Sequence, residues 1–138
     1  MRSGRRFALA TLLLAGLAGG CGTPSRDLWV VDRTGSLPDA KLTLRVGDGS
    51  TVRCNGGPEK PISSDDLLEA RQVEKDLKPL LDEGTTLPPQ TGSQLQYRVT
   101  GGEGVARFAD NSARLPKVFS EVIRLSRKFA REACGKQR

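Results

Sequence analysis

KLTLRVGDGSTVRC, residues 41–54, alternates apolar and polar side chains on both sides of a glycine-rich turn. Leu42, Leu44 and Val46 fall on one side of the chain, and Lys41, Thr43 and Arg45 on the other. That period of two is the pattern of a half-buried strand. Gly47, Asp48 and Gly49 supply the backbone freedom of a hairpin turn. Thr51 to Cys54 returns, with Val52 and Cys54 facing the same side.

The same plan recurs further along. LQYRV, residues 95–99, parallels LTLRV, residues 42–46. After the turn Gly101, Gly102, Glu103 and Gly104, the segment Ala106 to Phe108 parallels Val52 to Cys54. Upstream, Leu28 to Val31 (LWVV) reads as a short apolar strand, and Thr34 to Asp39 as a loop by composition. Asn55, Gly56, Gly57 and Pro58 break the strand pattern after Cys54.

A helix is expected after each hairpin. Ser63 is placed as the first N-cap, with Asp66 three residues on as its partner, and Ile62 and Leu67 spaced for a hydrophobic staple. Leu67, Ala70, Val73, Leu77 and Leu80 follow at three- and four-residue spacing. Pro79 lacks an N–H and crowds residue 75, so the helix is expected to kink or stop near Leu77. Gly84 closes the segment, and Thr85 to Ser93 is a loop. Its stretch LPPQTG, residues 87–92, resembles a sortase signal, but it has one residue too many and no apolar tail follows. Pro116 suits the first turn of the last helix. Val118, Val122, Leu125 and Phe129 form its apolar stripe, widened by Phe119, Ile123 and Ala130. Gly135 fits its C-terminal cap. The order is β-β-β-α-β-β-α. We therefore expect an α+β fold, one sheet with two helices on one face, in a single domain over residues 28–138.

The N-terminus reads differently. Arg2, Arg5 and Arg6 precede FALATLLLAGL, residues 7–17, an apolar run of about 11 residues, too short to span a bilayer. Small residues and then Cys21 follow. Leu17 to Cys21 (LAGGC) resembles the lipobox of bacterial lipoproteins, with Ala18 where leucine is commonest. The resemblance implies that residues 1–20 are a signal peptide, and that Cys21 carries lipid after cleavage. Residues 21–27 would be a short tether to the extracytoplasmic face of a cell membrane. An ordinary cleaved signal with an incidental cysteine is the alternative. One acyl chain binds only marginally, whereas two or more hold a protein on the bilayer.

Residues 1–20 carry three arginines and no acid, so without them the charge falls from +6 to +3, with 19 basic against 16 acidic residues. Such an excess does not call for nucleic acid. With Cys21 used by lipid, Cys54 and Cys134 remain, an even pair expected to form a disulfide outside the cytosol. It would close a loop of about 80 residues, worth roughly 4–5 kcal/mol in the chain-entropy treatment. Two buried free thiols are the alternative.

The chain has no histidine. Ser-His-Asp and Cys-His catalysis, histidine-ligated zinc and the usual neutral-pH base are therefore excluded. No Walker loop occurs, and the glycines at 101, 102 and 104 sit in a hairpin rather than before a helix. Asp65 and Asp66 suit capping and the helix dipole better than acid–base work. Glu69, Glu74 and Asp76 read as solvated helix surface. No catalytic residue, metal or cofactor is expected. The basic helix end, with Arg124, Arg127, Lys128 and Arg131, has two readings: contact with anionic headgroups, or a solvated face that satisfies the helix dipole. The second is preferred.

Read in order, VVDRTGS, residues 30–36, resembles the opening "strand, Arg-x-Gly-Gly" of the emfourin-like family of protealysin inhibitors, with Ser36 where the second glycine is usual. A helix near Leu67–Leu81 follows, then Tyr97-Arg98-Val99, a turn, Val105 to Phe108, and Leu115-Pro116 opening the last helix. The likeness spans nearly all residues after 28, and small actinobacterial lipoproteins share this look. It implies inhibition of thermolysin-like metallopeptidases. A weaker likeness is to Streptomyces-type subtilisin inhibitors, through Thr51 to Cys54 followed by Gly56-Gly57-Pro58. That family braces its reactive loop with a disulfide, and here Thr85 to Ser93 has no cysteine beside it. The expected function is a membrane-anchored protein-binding module, a peptidase inhibitor, whose partner is an extracytoplasmic peptidase or another envelope protein. The alternatives are a structural or envelope-interaction lipoprotein and a small-ligand binder. The last is disfavoured because few aromatics are available to line a pocket.

Overall fold

A computed structural model describes residue 23 and residues 25–137. The signal-like segment and Cys21 lie outside the described residues. Eight elements follow in order: β1 (Asp27–Gly35), β2 (Leu42–Gly47), β3 (Thr51–Cys54), β4 (Glu59–Pro61), α1 (Ser64–Asp82), β5 (Leu95–Gly101), β6 (Gly104–Ala109) and α2 (Lys117–Glu132). The strands form one antiparallel sheet in the order β4-β3-β2-β1-β5-β6. The α+β class and the two hairpin-plus-helix units read from the sequence are what the chain forms.

β1 joins the two units. Each hairpin lays its first strand against it: Val31 pairs with Leu44 on one side and with Val99 on the other. Leu42, Leu44, Val46, Leu95, Tyr97 and Val99 all turn to one face and are buried there. Two helices cover that face. Trp29 donates its indole N–H to the Ala70 carbonyl of α1 at 3.1 Å. Phe119 of α2 stacks on Phe108, with centroids 4.1 Å apart, and Phe108 stacks on Tyr97. Each such large apolar side chain contributes about 1.5–3 kcal/mol on burial.

Three details differ from the sequence expectation. β1 is longer than Leu28–Val31, because its alternation continues through an inward Arg33 only 1% exposed. Arg33 is not a break in the strand but a clamp. Its Nε and Nη2 donate to the carbonyls of Ala40 and Asp39, each at 2.8 Å, and close the β1–β2 connection. The strand β4 was not foreseen; all three of its residues are exposed, so no hydrophobic pattern marks it. Helix α1 does not stop near Leu77. It runs through Pro79 to Asp82, because continuing it buries Leu81 against Gly101 and Gly104 at the cost of a single backbone bond.

The N-terminal cap of α1 is as read, whereas Pro116 stands just before α2 as its N-cap rather than in its first turn. Asp66 N donates to the Ser63 hydroxyl at 3.1 Å, and Ile62 and Leu67 pack half-buried on the core. Both flanks of the sheet are guarded. β4 is short and ends in Pro61, and the outer side of β6 is taken by the chain leaving α1. There Arg107 N donates to Thr85 O at 2.9 Å and Leu87 N donates to Arg107 O at 2.8 Å.

Cys54 and Cys134 are joined, with S–S 2.02 Å and Cα–Cα 5.7 Å across a separation of 80 residues. The bond ties β3 to the end of α2. Lys60 adds a donor to the Ala133 carbonyl at the same place. Nearby, the Lys128 ammonium donates to the Asp66 carboxylate at 2.6 Å and links the two helices.

The sheet has two distinct poles. Ser25 lies against Gly47 and Gly49, and Asp48 N donates to Arg26 O at 2.8 Å. The chain therefore enters beside the β2–β3 and β5–β6 turns. The opposite pole carries the β1–β2 connection, Cys54, the start of β5 and the end of β6. Strands of this length hold the poles roughly 20 Å apart.

Candidate functional site

At the pole away from Ser25 the chain between α1 and β5 forms an exposed loop. Gly84, with φ 65°, ends the helix, and Thr85 and Leu87 then bond to β6. Leu87 packs half-buried on the core and anchors the loop. Pro88 and Pro89 have fixed φ and disfavour helix before them, so this stretch is extended. Gln90 to Ser93 is a turn closed by Ser93 N donating to Gln90 O at 3.2 Å, with Gly92 at φ 85°. Positive φ at that third turn position marks type II, which glycine adopts without a Cβ clash. Pro88, Pro89, Gln90, Thr91 and Gly92 are all exposed.

Three consecutive residues after β6 hold this loop from below. Asn111 accepts from Gln90 N at 3.0 Å through Oδ1, and its Nδ2 donates to the carbonyls of Gln90 and Thr91, each at 3.2 Å. Ser112, 7% exposed, accepts from Ala109 N at 2.9 Å. Its hydroxyl proton is shared between the carbonyls of Pro88 at 3.0 Å and Leu87 at 3.3 Å. Asp110 accepts from the Ser93 hydroxyl at 3.0 Å and from Leu95 N at 3.1 Å, and so fixes the exit into β5. Each bond adds a net 0.5–1.5 kcal/mol or so. Their larger effect is on entropy. Ordering a backbone residue costs about 1–2 kcal/mol, and here that cost is met before any partner arrives.

The sequence reading placed no role on Asp110, Asn111 or Ser112. These are residue types whose side chains favour nearby backbone groups. Their partners lie some twenty residues earlier in the chain, so only the β5–β6 pairing brings them together. Of the residues the sequence did mark, Cys54 and Cys134 form the disulfide, and Cys21 lies outside the described residues.

Other surfaces are chemically quieter. A groove of about 480 Å³ opens at the pole beside Ser25, over Leu28, Trp29, Leu77 and Leu81. The acids on its rim are largely spoken for: Glu74 pairs with Arg26 at 2.5 Å and Asp82 with Lys78 at 2.7 Å. Of the basic helix residues, Arg124 pairs with Glu69 and Glu121, and Lys128 with Asp66. Arg127 and Arg131 line a shallow cleft with Asp110, Leu115, Ser120 and Ile123, at the pole away from Ser25.

The electrostatics follow from burial and pairing. Burial alone would push the Asp66 carboxyl up; the Lys128 ammonium and the Ser63 hydroxyl outweigh it and hold the group below its ordinary value. Burial pushes the Tyr97 phenol up, against the opposing pull of Arg127 and Arg33. Among the described residues no cluster of three acidic or sulfur side chains could hold a metal, and no helix is long and apolar enough to cross a membrane. What the arrangement offers is a stretch of exposed backbone held in place by the Asn111 and Ser112 side chains. Comparison with family models, with curated proteins and with solved structures finds no match to this chain.

Proposed function

We propose that this is a lipid-anchored, extracytoplasmic binding domain that inhibits a peptidase through the loop Leu87–Gly92. The observation that carries the reading is the bracing of that loop by Asn111 and Ser112. A peptidase binds extended backbone, and a segment already fixed in shape forfeits little entropy on binding. The anchor rests on the N-terminal pattern, with Cys21 as the lipidated residue. Because the chain enters at the other pole, a tether there would present the loop away from the bilayer. Inhibition needs no catalytic side chain, which agrees with a chain lacking histidine.

The test uses the anchored protein, recovered from membranes in mild detergent and titrated against thermolysin-like, subtilisin-like and proline-specific serine peptidases. Inhibition of at least one class at or below micromolar protein is expected; its absence from all three would remove the inhibitory reading. The runner-up is an envelope-interaction lipoprotein without inhibitory action. It draws on the uncovered sheet face, where Arg45, Arg53 and Arg98 pair with Asp27, Glu59 and Asp32. A pull-down of the anchored protein that captured a non-peptidase envelope protein through these arginines would favour it.

A further inference from the structure

We infer that Pro89 is the residue the loop offers for attack, and that the partner is a serine peptidase whose pocket accepts proline before the bond it cuts. This rests on the inhibitory reading above.

The argument is an audit of carbonyl groups. Those of Leu87 and Pro88 accept from Ser112, and those of Gln90 and Thr91 accept from Asn111. Among the described residues nothing donates to the carbonyl of Pro89, and Pro89 is exposed. A nucleophile needs a carbonyl whose oxygen is free to enter a set of donors in the peptidase. Pro89 has the only such carbonyl between Leu87 and Thr91. Its neighbours on both sides are tied down, so the Pro89–Gln90 bond is held out while the backbone around it stays still. Proline also selects the partner. It has no N–H to donate, so peptidases that grip the residue before the cut by that group lose a contact. One with a pocket for the pyrrolidine ring does not.

The same geometry makes the loop a poor substrate. The serine oxygen of the peptidase adds to the Pro89 carbonyl carbon, and its proton passes to the peptidase's base. As the C–N bond breaks, that proton moves to the Gln90 nitrogen, leaving an ester on the serine and an amine on Gln90. The amine does not diffuse away: its nitrogen is 3.0 Å from Asn111 Oδ1, and the carbonyls of Gln90 and Thr91 stay bonded to Asn111 Nδ2. Return attack on the ester re-forms the peptide bond and frees the serine before water completes hydrolysis. Residues 89 and 90 lie inside the loop closed by Cys54 and Cys134, so even a hydrolysed chain stays in one covalent piece.

The experiment titrates the anchored protein, recovered from membranes in mild detergent, against a proline-specific serine endopeptidase, with thermolysin and subtilisin as comparison arms. Pro89→Ala and Asn111→Ala are carried alongside, with circular dichroism to confirm that both fold. The proline-specific enzyme should be inhibited, and Pro89→Ala should weaken that inhibition about tenfold or more. Asn111→Ala should turn the protein into a substrate cut between residues 89 and 90. The intact mass would then rise by one water without reductant and split into two fragments with it. Inhibition of thermolysin or subtilisin that Pro89→Ala leaves unchanged would overturn this inference and leave the inhibitory reading standing. Cleavage of Asn111→Ala at another bond would overturn it as well. No inhibition in any arm would remove both.

Discussion

Two glycines of one turn differ in what they do. Gly104 sits where a Cβ would lie 2.6 Å from the backbone carbon and oxygen of Leu81, so the hairpin touches the end of α1 through a missing side chain. Gly104→Ala should lower the unfolding free energy by about 1–3 kcal/mol, measured by urea denaturation. Gly102, at φ 55° with open space around it, should cost only the strain of its backbone, about 1 kcal/mol. Asp66 makes a prediction of another kind. Folding lowers its pKa from 3.8. A carboxyl depressed in this way contributes stability that is present above its unfolded value and lost as pH falls through its folded value. Urea midpoints should therefore drop more steeply below about pH 4 in the parent than in Asp66→Asn. Parallel curves for the two proteins would remove the Lys128 pair from the account.

At the scale of elements, α1 shows where sequence reasoning reaches its limit. Pro79 predicts a kink or stop near Leu77, since its cost is local and legible. The gain that overrides it is not: Leu81 finds Gly101 and Gly104, twenty residues on, only once the second hairpin has formed. Pro79→Ala should restore the missing bond and raise stability by about 2 kcal/mol. That figure sets the helix penalty against the loss of proline's restraint on the unfolded chain, and thermal or chemical denaturation would check it. The hairpins and helices were legible because alternation and three-to-four spacing are written in neighbouring residues. β4 was not, because an exposed edge strand buries nothing. The braced loop was half legible. Its prolines and glycine marked a loop, but the Asn111 and Ser112 side chains that hold it belong to another segment. Asn111→Ala should raise the hydrogen-exchange rate at the Gln90 amide while leaving that of the β5 amides unchanged.

For the whole molecule the staple was readable by counting cysteines, since two remained once Cys21 was assigned to lipid. Cys54→Ser with Cys134→Ser should lower stability by roughly 4 kcal/mol, and reductant should bring the parent towards the same denaturation midpoint. The anchor has its own check. A palmitate analogue fed to the exporting cell should label the parent and not Cys21→Ala, and label persisting in the variant would refute lipidation. The proposed tethering would also make the guarded flanks of the sheet matter. Proteins fixed to one surface share an orientation and crowd in two dimensions, so like borders meet far more often than they would in free solution. An open outermost strand would then template ribbons along the bilayer. Here one border is three residues closed off by Pro61 and the other is occupied by Thr85–Leu87. Packed side by side on a lipid surface, copies of this chain would find no vacant ladder among the described strands through which to polymerise.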